Sequence, residues 1–105
     1  MINETLAGIK KRIHRIKAEL TTIEAMRPGS LTRQFKDPKH HRGAYYQISY
    51  TREMKSRTEY VPRHCLPQVR RELRHYKRFK VLLAQWVALS IEQSRCKMKE
   101  GTRRP

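Results

Sequence analysis

A chain of 105 residues with 25 Lys+Arg against nine Asp+Glu carries a formal charge of +16, an excess that repels itself unless a polyanion or an acidic partner lies against it. At this length one thin-cored domain is expected, burying about 60 to 65 % of its unfolded surface. The longest nearly uncharged run, residues 81–94, falls short of the roughly 18 to 20 apolar residues that a membrane crossing needs, and no secretory leader pattern is legible, so the expected location is the cytoplasm.

Ile2, Leu6, Ile9, Ile13, Ile16, Leu20 and Ile23 alternate steps of four and three residues, a heptad seam that predicts a long amphipathic helix with coiled-coil spacing. Asn3 is its expected N-cap, and Pro28-Gly29 is expected to end it. The stretch "KKRIHRIK" bunches Lys10, Lys11, Arg12, Arg15 and Lys17 on this helix.

Residues 27–43, "RPGSLTRQFKDPKHHRG", have turn formers at both ends. Leu31, Arg33 and Phe35 alternate as a brief edge strand would, and Asp37 to Arg42 is read as a loop. Residues 44–52 and 57–61, joined by the polar link "EMKS", read as a β-hairpin. Its inward face is assigned to Tyr46, Ile48, Tyr50 and Tyr60. Tyr45, Gln47 and Arg57 are then outward, with Arg52 nearby.

After Pro62 the longest element begins between His64 and Pro67, where proline in the first helical turn costs no hydrogen bond. Val69, Leu73, Tyr76, Leu83 and Val87 make one stripe, and Phe79, Leu82, Trp86 and Leu89 an adjacent one. The run "VLLAQWVALSI" is apolar nearly all round and needs cover on more than one side; a homodimer through residues 79–91 is expected to supply it. The domain is therefore set at 1–95, with 96–105 a fraying basic tail. Cys65 and Cys96 would lie roughly 46 Å apart on such a helix, too far to bridge.

Net charge by segment locates the partner's dock: +2 for 1–26, +4 for 27–43, +1 for 44–62, +6 for 63–80, −1 for 81–94 and +4 for 95–105. In the richest segment Arg70, Arg74, Lys77 and Arg78 recur at helical steps, Arg71 sits beside them, and Glu72 is the only acid. A solvated helix face normally interleaves acids as i, i+4 partners, and this one does not. The expected nucleic-acid contacts are Arg70, Arg71, Arg74, Lys77 and Arg78, helped by Lys10, Lys11, Arg15, Arg33, Arg42, Tyr45 and Arg57, with DNA ahead of RNA. The rival expectation is a helical interaction module that binds an acidic protein.

Catalysis is not expected. Asp37 is the only aspartate, the glutamates are scattered singly, and metal-dependent phosphodiester chemistry needs converging carboxylates. Adjacent histidines such as His40 and His41 point apart on an extended chain, so neither a metal nor any other cofactor is expected. Cys65 beside His64 reads as an apolar filler in preference to a nucleophile.

The order "RPGSLTRQF", "HRGAYYQISYTR", "KSRTEYVP", "VRRELRHYKRFKVLLAQWVALSIE" resembles small basic bacterial proteins encoded in or beside transposons and other mobile elements. Pro28, Gly29, Ser30 and Leu31 match that family's opening turn; His41, Gly43, Tyr45 and Tyr46 match its hairpin start, with Ala44 in place of proline. Lys55, Arg57 and Thr58 fall on the hairpin's return, Arg70 and Arg71 on its Val-Arg-Arg run, and Tyr76, Arg78 and Phe79 on its helix centre. The resemblance implies an accessory or regulatory nucleic-acid-binding role. The relatives' cysteine-rich loop is here "FKDPKHH", so their implied metal site does not carry over.

Overall fold

The computed structural model describes residues 5–103, in the order α1 (Leu6–Leu20), β1 (Ser30–Asp37), β2 (Arg42–Arg52), β3 (Lys55–Val61), a 3-10 turn at Arg63–Cys65, and α2 (Leu66–Arg103). The class is α+β, as expected, and the alternating piece around Leu31 is a full eight-residue strand. Two compact units share α2: residues 24–77 form one, and the described parts of 1–23 and 78–105 form the other. Where the sequence reads as one domain with a tail from residue 96, the chain divides into two cores. α2 also runs unbroken past Cys96 to Arg103. Helix formers and cations suit its last turns, and Cys96 packs against a core.

In the helical unit, α1 is described from Leu6. Thr5 is its N-cap, its hydroxyl accepting from the Gly8 amide at 3.1 Å; Ile2 and Asn3 lie outside the described residues. The helix stops short of Pro28-Gly29. Thr21 and Thr22 turn their hydroxyls back onto the Ala18 and Glu19 carbonyls, both at 2.6 Å, and such back-bonding competes with helix propagation. Ile9, Ile13 and Ile16 bury against Leu82 and Leu89, with Leu20, Ile23, Trp86 and Cys96 at the margin. The helices are antiparallel: Glu19 ion-pairs with Arg78 while Arg12 and Ile16 share a groove with Ala88 and Glu92.

In the sheet unit the strands form an antiparallel meander ordered β1-β2-β3. The β2–β3 link is a two-residue turn, Glu53-Met54, with φ of 53° and 65°. Positive φ at both positions is the type I′ geometry whose twist matches the strands. Residues opposite each other share a face, which puts Leu31, Ile48 and Glu59 in one row and Arg33, Tyr46 and Val61 in the next. This face covers α2: Ile48, at 0 % exposure, and Val61 pack on Leu66 and Val69, with Leu31, Tyr46, Cys65 and Leu73 around them.

The register corrects two assignments. Tyr60 opposes Gln47, so it stands on the open face, 68 % exposed, and Arg57 opposes Tyr50 on the α2 side. A loop of two residues, like one of four, pairs odd positions of β2 with even positions of β3. An inward Tyr60 would need a loop of odd length. The segment 37–42 is the second hairpin turn, ordered by Asp37, whose carboxylate accepts from the His40 amide at 3.3 Å and contacts the His40 ring at 2.8 Å.

Candidate functional site

Residues 24–29, which lead into β1, are clamped to the rest of the sheet unit. The Arg27 amide donates to the Glu72 carbonyl at 3.0 Å. His75 Nδ1 meets the Ala25 carbonyl at 2.8 Å; a carbonyl only accepts, so this nitrogen carries the proton. The Arg27 guanidinium ion-pairs with Glu59 and lies 5.2 Å over the Tyr50 ring, and the Tyr50 hydroxyl donates to Glu59 at 3.2 Å. The hydrogen bond from Arg27 holds the Glu59 carboxyl below its ordinary range, and the same bond raises Arg27.

The sign of that linkage is definite. A carboxyl depressed in the folded state adds stability above its unfolded-state pKa and loses it as pH falls through the lower folded value. Glu59→Gln is therefore expected to lower the Tm near neutrality. The difference from wild type should shrink as pH drops below the usual glutamate range, as read by thermal melts over a pH series.

The clamp sets Gly29 and Ser30 beside α2. Gly29, Ser30 and Leu31 line one wall of a groove whose other wall is Arg70, Leu73, Arg74 and Lys77. Positions 70, 74 and 77 share a helix face by their i, i+4, i+7 spacing. All three are exposed. Arg70 lies 5.8 Å over the Tyr46 ring, and Arg33, the cross-strand neighbour of Tyr46, stacks 5.0 Å over Phe35. Among the described residues, Arg70, Arg71, Arg74 and Lys77 join no ion pair. Glu72 is about 200° round the helix from Arg70 and is bonded to Gln68 at 3.3 Å.

Arg78, four residues on from Arg74, does not line the groove. It belongs to the helical unit and is paired with Glu19. Arg71 is exposed but about 100° from Arg70 round the helix, outside the groove. Lys10, Lys11 and Arg15 are exposed on α1 of the helical unit, and Arg15 borders a groove with Arg12, Gln85, Ala88 and Glu92. Glu92 there is paired with Arg95 at 3.0 Å. Arg33 and Arg42 are exposed on the sheet unit.

No family model, curated protein or solved structure matches the chain. Among the described residues no three His, Cys, Asp or Glu side chains converge as a metal site would require, and no helix is long and apolar enough to cross a membrane. His40 turns to Asp37 while His41 stacks on Phe35 at 5.0 Å, and both cysteines are free thiols.

The placement of four residues of the sheet unit, Gly29, Ser30, Tyr60 and Arg27, goes beyond what the sequence predicts. Ser30 and Gly29 read only as a turn, and nothing in the sequence places that turn against α2. Tyr60 was legible in principle, because any even hairpin loop turns it outward. Arg27 looked like one more surface cation, and its engagement with Glu59 depends on a pairing across 32 residues.

Proposed function

We propose that the protein is a non-catalytic nucleic-acid-binding protein that grips the phosphate backbone in the groove of Arg70, Arg74 and Lys77. The observation that carries this reading is three unpaired cations on one helix face, opposite a glycine-serine turn, with no carboxylate lining the groove. Guanidinium and ammonium groups beside an exposed backbone turn are the donor set that phosphate oxygens take. Arg33 and Arg42 extend the cationic surface of that unit, and Lys10, Lys11 and Arg15 give the helical unit one of its own. DNA is the expected polymer, and the resemblance to mobile-element proteins supplies the setting, an accessory or regulatory role beside such an element in the cytoplasm.

The test is a salt titration against labelled single- and double-stranded DNA and RNA. Binding at about 50 mM salt and release by about 300 mM is expected, since each neutralised phosphate contributes a log–log slope of about −0.9 on duplex DNA. Failure to bind any of the four polymers at low salt overturns the proposal.

A second reading concerns Leu83, Val87 and Ile91, spaced four apart on α2 and exposed, Val87 at 54 %. They lie on the side of the helix turned away from Leu82 and Leu89, which meet α1. We infer that a second copy of the chain covers this stripe. Residues 81–94 contain no Lys or Arg, so two strongly cationic chains can meet there without setting cation against cation. Light scattering at high concentration should give a dimer mass for the wild type and a monomer mass for Val87→Glu. A monomeric wild type overturns it.

A further inference from the structure

The open face of the sheet is unlike the face on α2. Its rows are Ser30, Ser49 and Thr58; Thr32, Gln47 and Tyr60; and Gln34 with Tyr45. These are neutral hydrogen-bonding side chains and two phenols, with no carboxylate in any row. Beyond Gln34 and Tyr45, Lys36 lies across from Gly43. A Cβ built on Gly43 would stand 3.0, 3.4 and 3.5 Å from the Lys36 Cβ, Cγ and Cδ, so the lysine stem lies along a strand position without a side chain. Gly43 takes φ +69°. Lys36, Gly43, Tyr45 and Tyr60 line one shallow groove with Phe35 and Ala44.

The two phenols are diagonal neighbours on adjacent strands, because Tyr60 opposes Gln47 and Tyr45 is two residues along from it. That diagonal spans about 7–8 Å, close to two aromatic stacking distances. Tyr45 and Tyr60 do not stack on each other. Two phenols rooted that far apart leave room between them for one planar group, and with the amide side chains of Gln34 and Gln47 on the same face and an ammonium at the end they suit an unpaired nucleobase and its phosphate. A base inside a duplex has both faces stacked and cannot enter.

We propose that the groove between Tyr45 and Tyr60 takes an unpaired base of a single-stranded nucleic acid, with Lys36 on the adjoining phosphate. The inference deepens the nucleic-acid reading and rests on it. Arg70, Arg74 and Lys77 hold the polymer whatever its strandedness, and the tyrosines add preference for the single strand.

The experiment measures affinity for three probes: a single-stranded DNA oligomer, the same oligomer with central abasic sites, and the matching duplex. Tyr60→Ala is expected to weaken the intact single strand roughly 5- to 150-fold, the range of one base–aromatic stack, and to leave duplex and abasic binding unchanged. Tyr60→Phe should bind as wild type. Tyr60 is mostly exposed, so these variants keep the fold, which circular dichroism checks; Lys36→Ala supplies an independent second variant, weakening the single strand less steeply. If Tyr60→Ala binds all three probes like wild type, or the wild type binds abasic and intact strands equally, the tyrosine groove is refuted while the arginine groove stands. If the wild type binds no probe at low salt, the phosphate reading falls and takes this one with it.

Discussion

Changing Arg70, Arg74 and Lys77 together to glutamate is expected to lower affinity for nucleic acid by roughly 500-fold or more at about 0.1 M salt. Each released counterion contributes roughly 1.2 kcal/mol there, so three lost contacts give that factor before repulsion from the new carboxylates is added. The salt slope should flatten by about 2.7 for duplex DNA. All three side chains are exposed, and neither core includes them; unfolding by denaturant should therefore be close to wild type. Arg71→Glu, on the flank outside the groove, serves as the control with a much smaller loss. Arg78→Glu is a different experiment, since it sets a carboxylate against Glu19 and acts on the helical unit. A triple variant that binds with wild-type affinity and slope would show that the groove is not the dock.

Gly29→Ala is expected to cost about 2–6 kcal/mol of stability, summing left-handed backbone strain and overpacking at about 1–3 kcal/mol each. The residue has φ +136°, and a Cβ there would lie 2.9 Å from both Ile48 Cγ1 and the Ser49 carbonyl oxygen. Neither neighbour can give way easily: Ile48 is fully buried, and Ser49 belongs to the central strand. Against a total of about 5–15 kcal/mol for a domain, the loss is a large fraction of the stability, and it unfolds the chain outright only at the low end of that range. Gly101→Ala, in α2 with nothing within 4 Å of the added methyl, should instead stabilise by about 0.5–1 kcal/mol. Denaturant midpoints followed by circular dichroism check both signs, and an unshifted Gly29→Ala midpoint would refute the packing described for the β1 start.

The parts of the fold that are legible in the sequence are those with a local period. The α1 seam is plain because Ile9, Ile13 and Ile16 repeat with the helix, and β2 is plain because Tyr46, Ile48 and Tyr50 repeat with the strand. Helix ends were less legible: Thr21 and Thr22 stop α1 by bonding to their own backbone, a weaker signal than Pro28-Gly29 seven residues on. The link between β2 and β3 reads in the sequence as the four residues "EMKS" and not as the two-residue turn Glu53-Met54, because neither residue is the glycine or asparagine that positive φ usually selects, and Asp37 to Arg42 reads as a loop because its hairpin depends on pairing with β1. At the site, charge density pointed to Arg70, Arg74 and Lys77. Whether each cation was spent on an acid was invisible, as Arg78 with Glu19 and Arg27 with Glu59 show; those partners lie 59 and 32 residues apart.

α2 supplies Leu66 and Val69 to one core and Leu82 and Leu89 to the other, on a single hydrogen-bond ladder that crosses the boundary at Lys77 and Arg78 without a break. The sheet unit keeps all of its core within residues 24–77, whereas the helical unit draws its core from both sides of that stretch, so truncation can spare the first core but not the second.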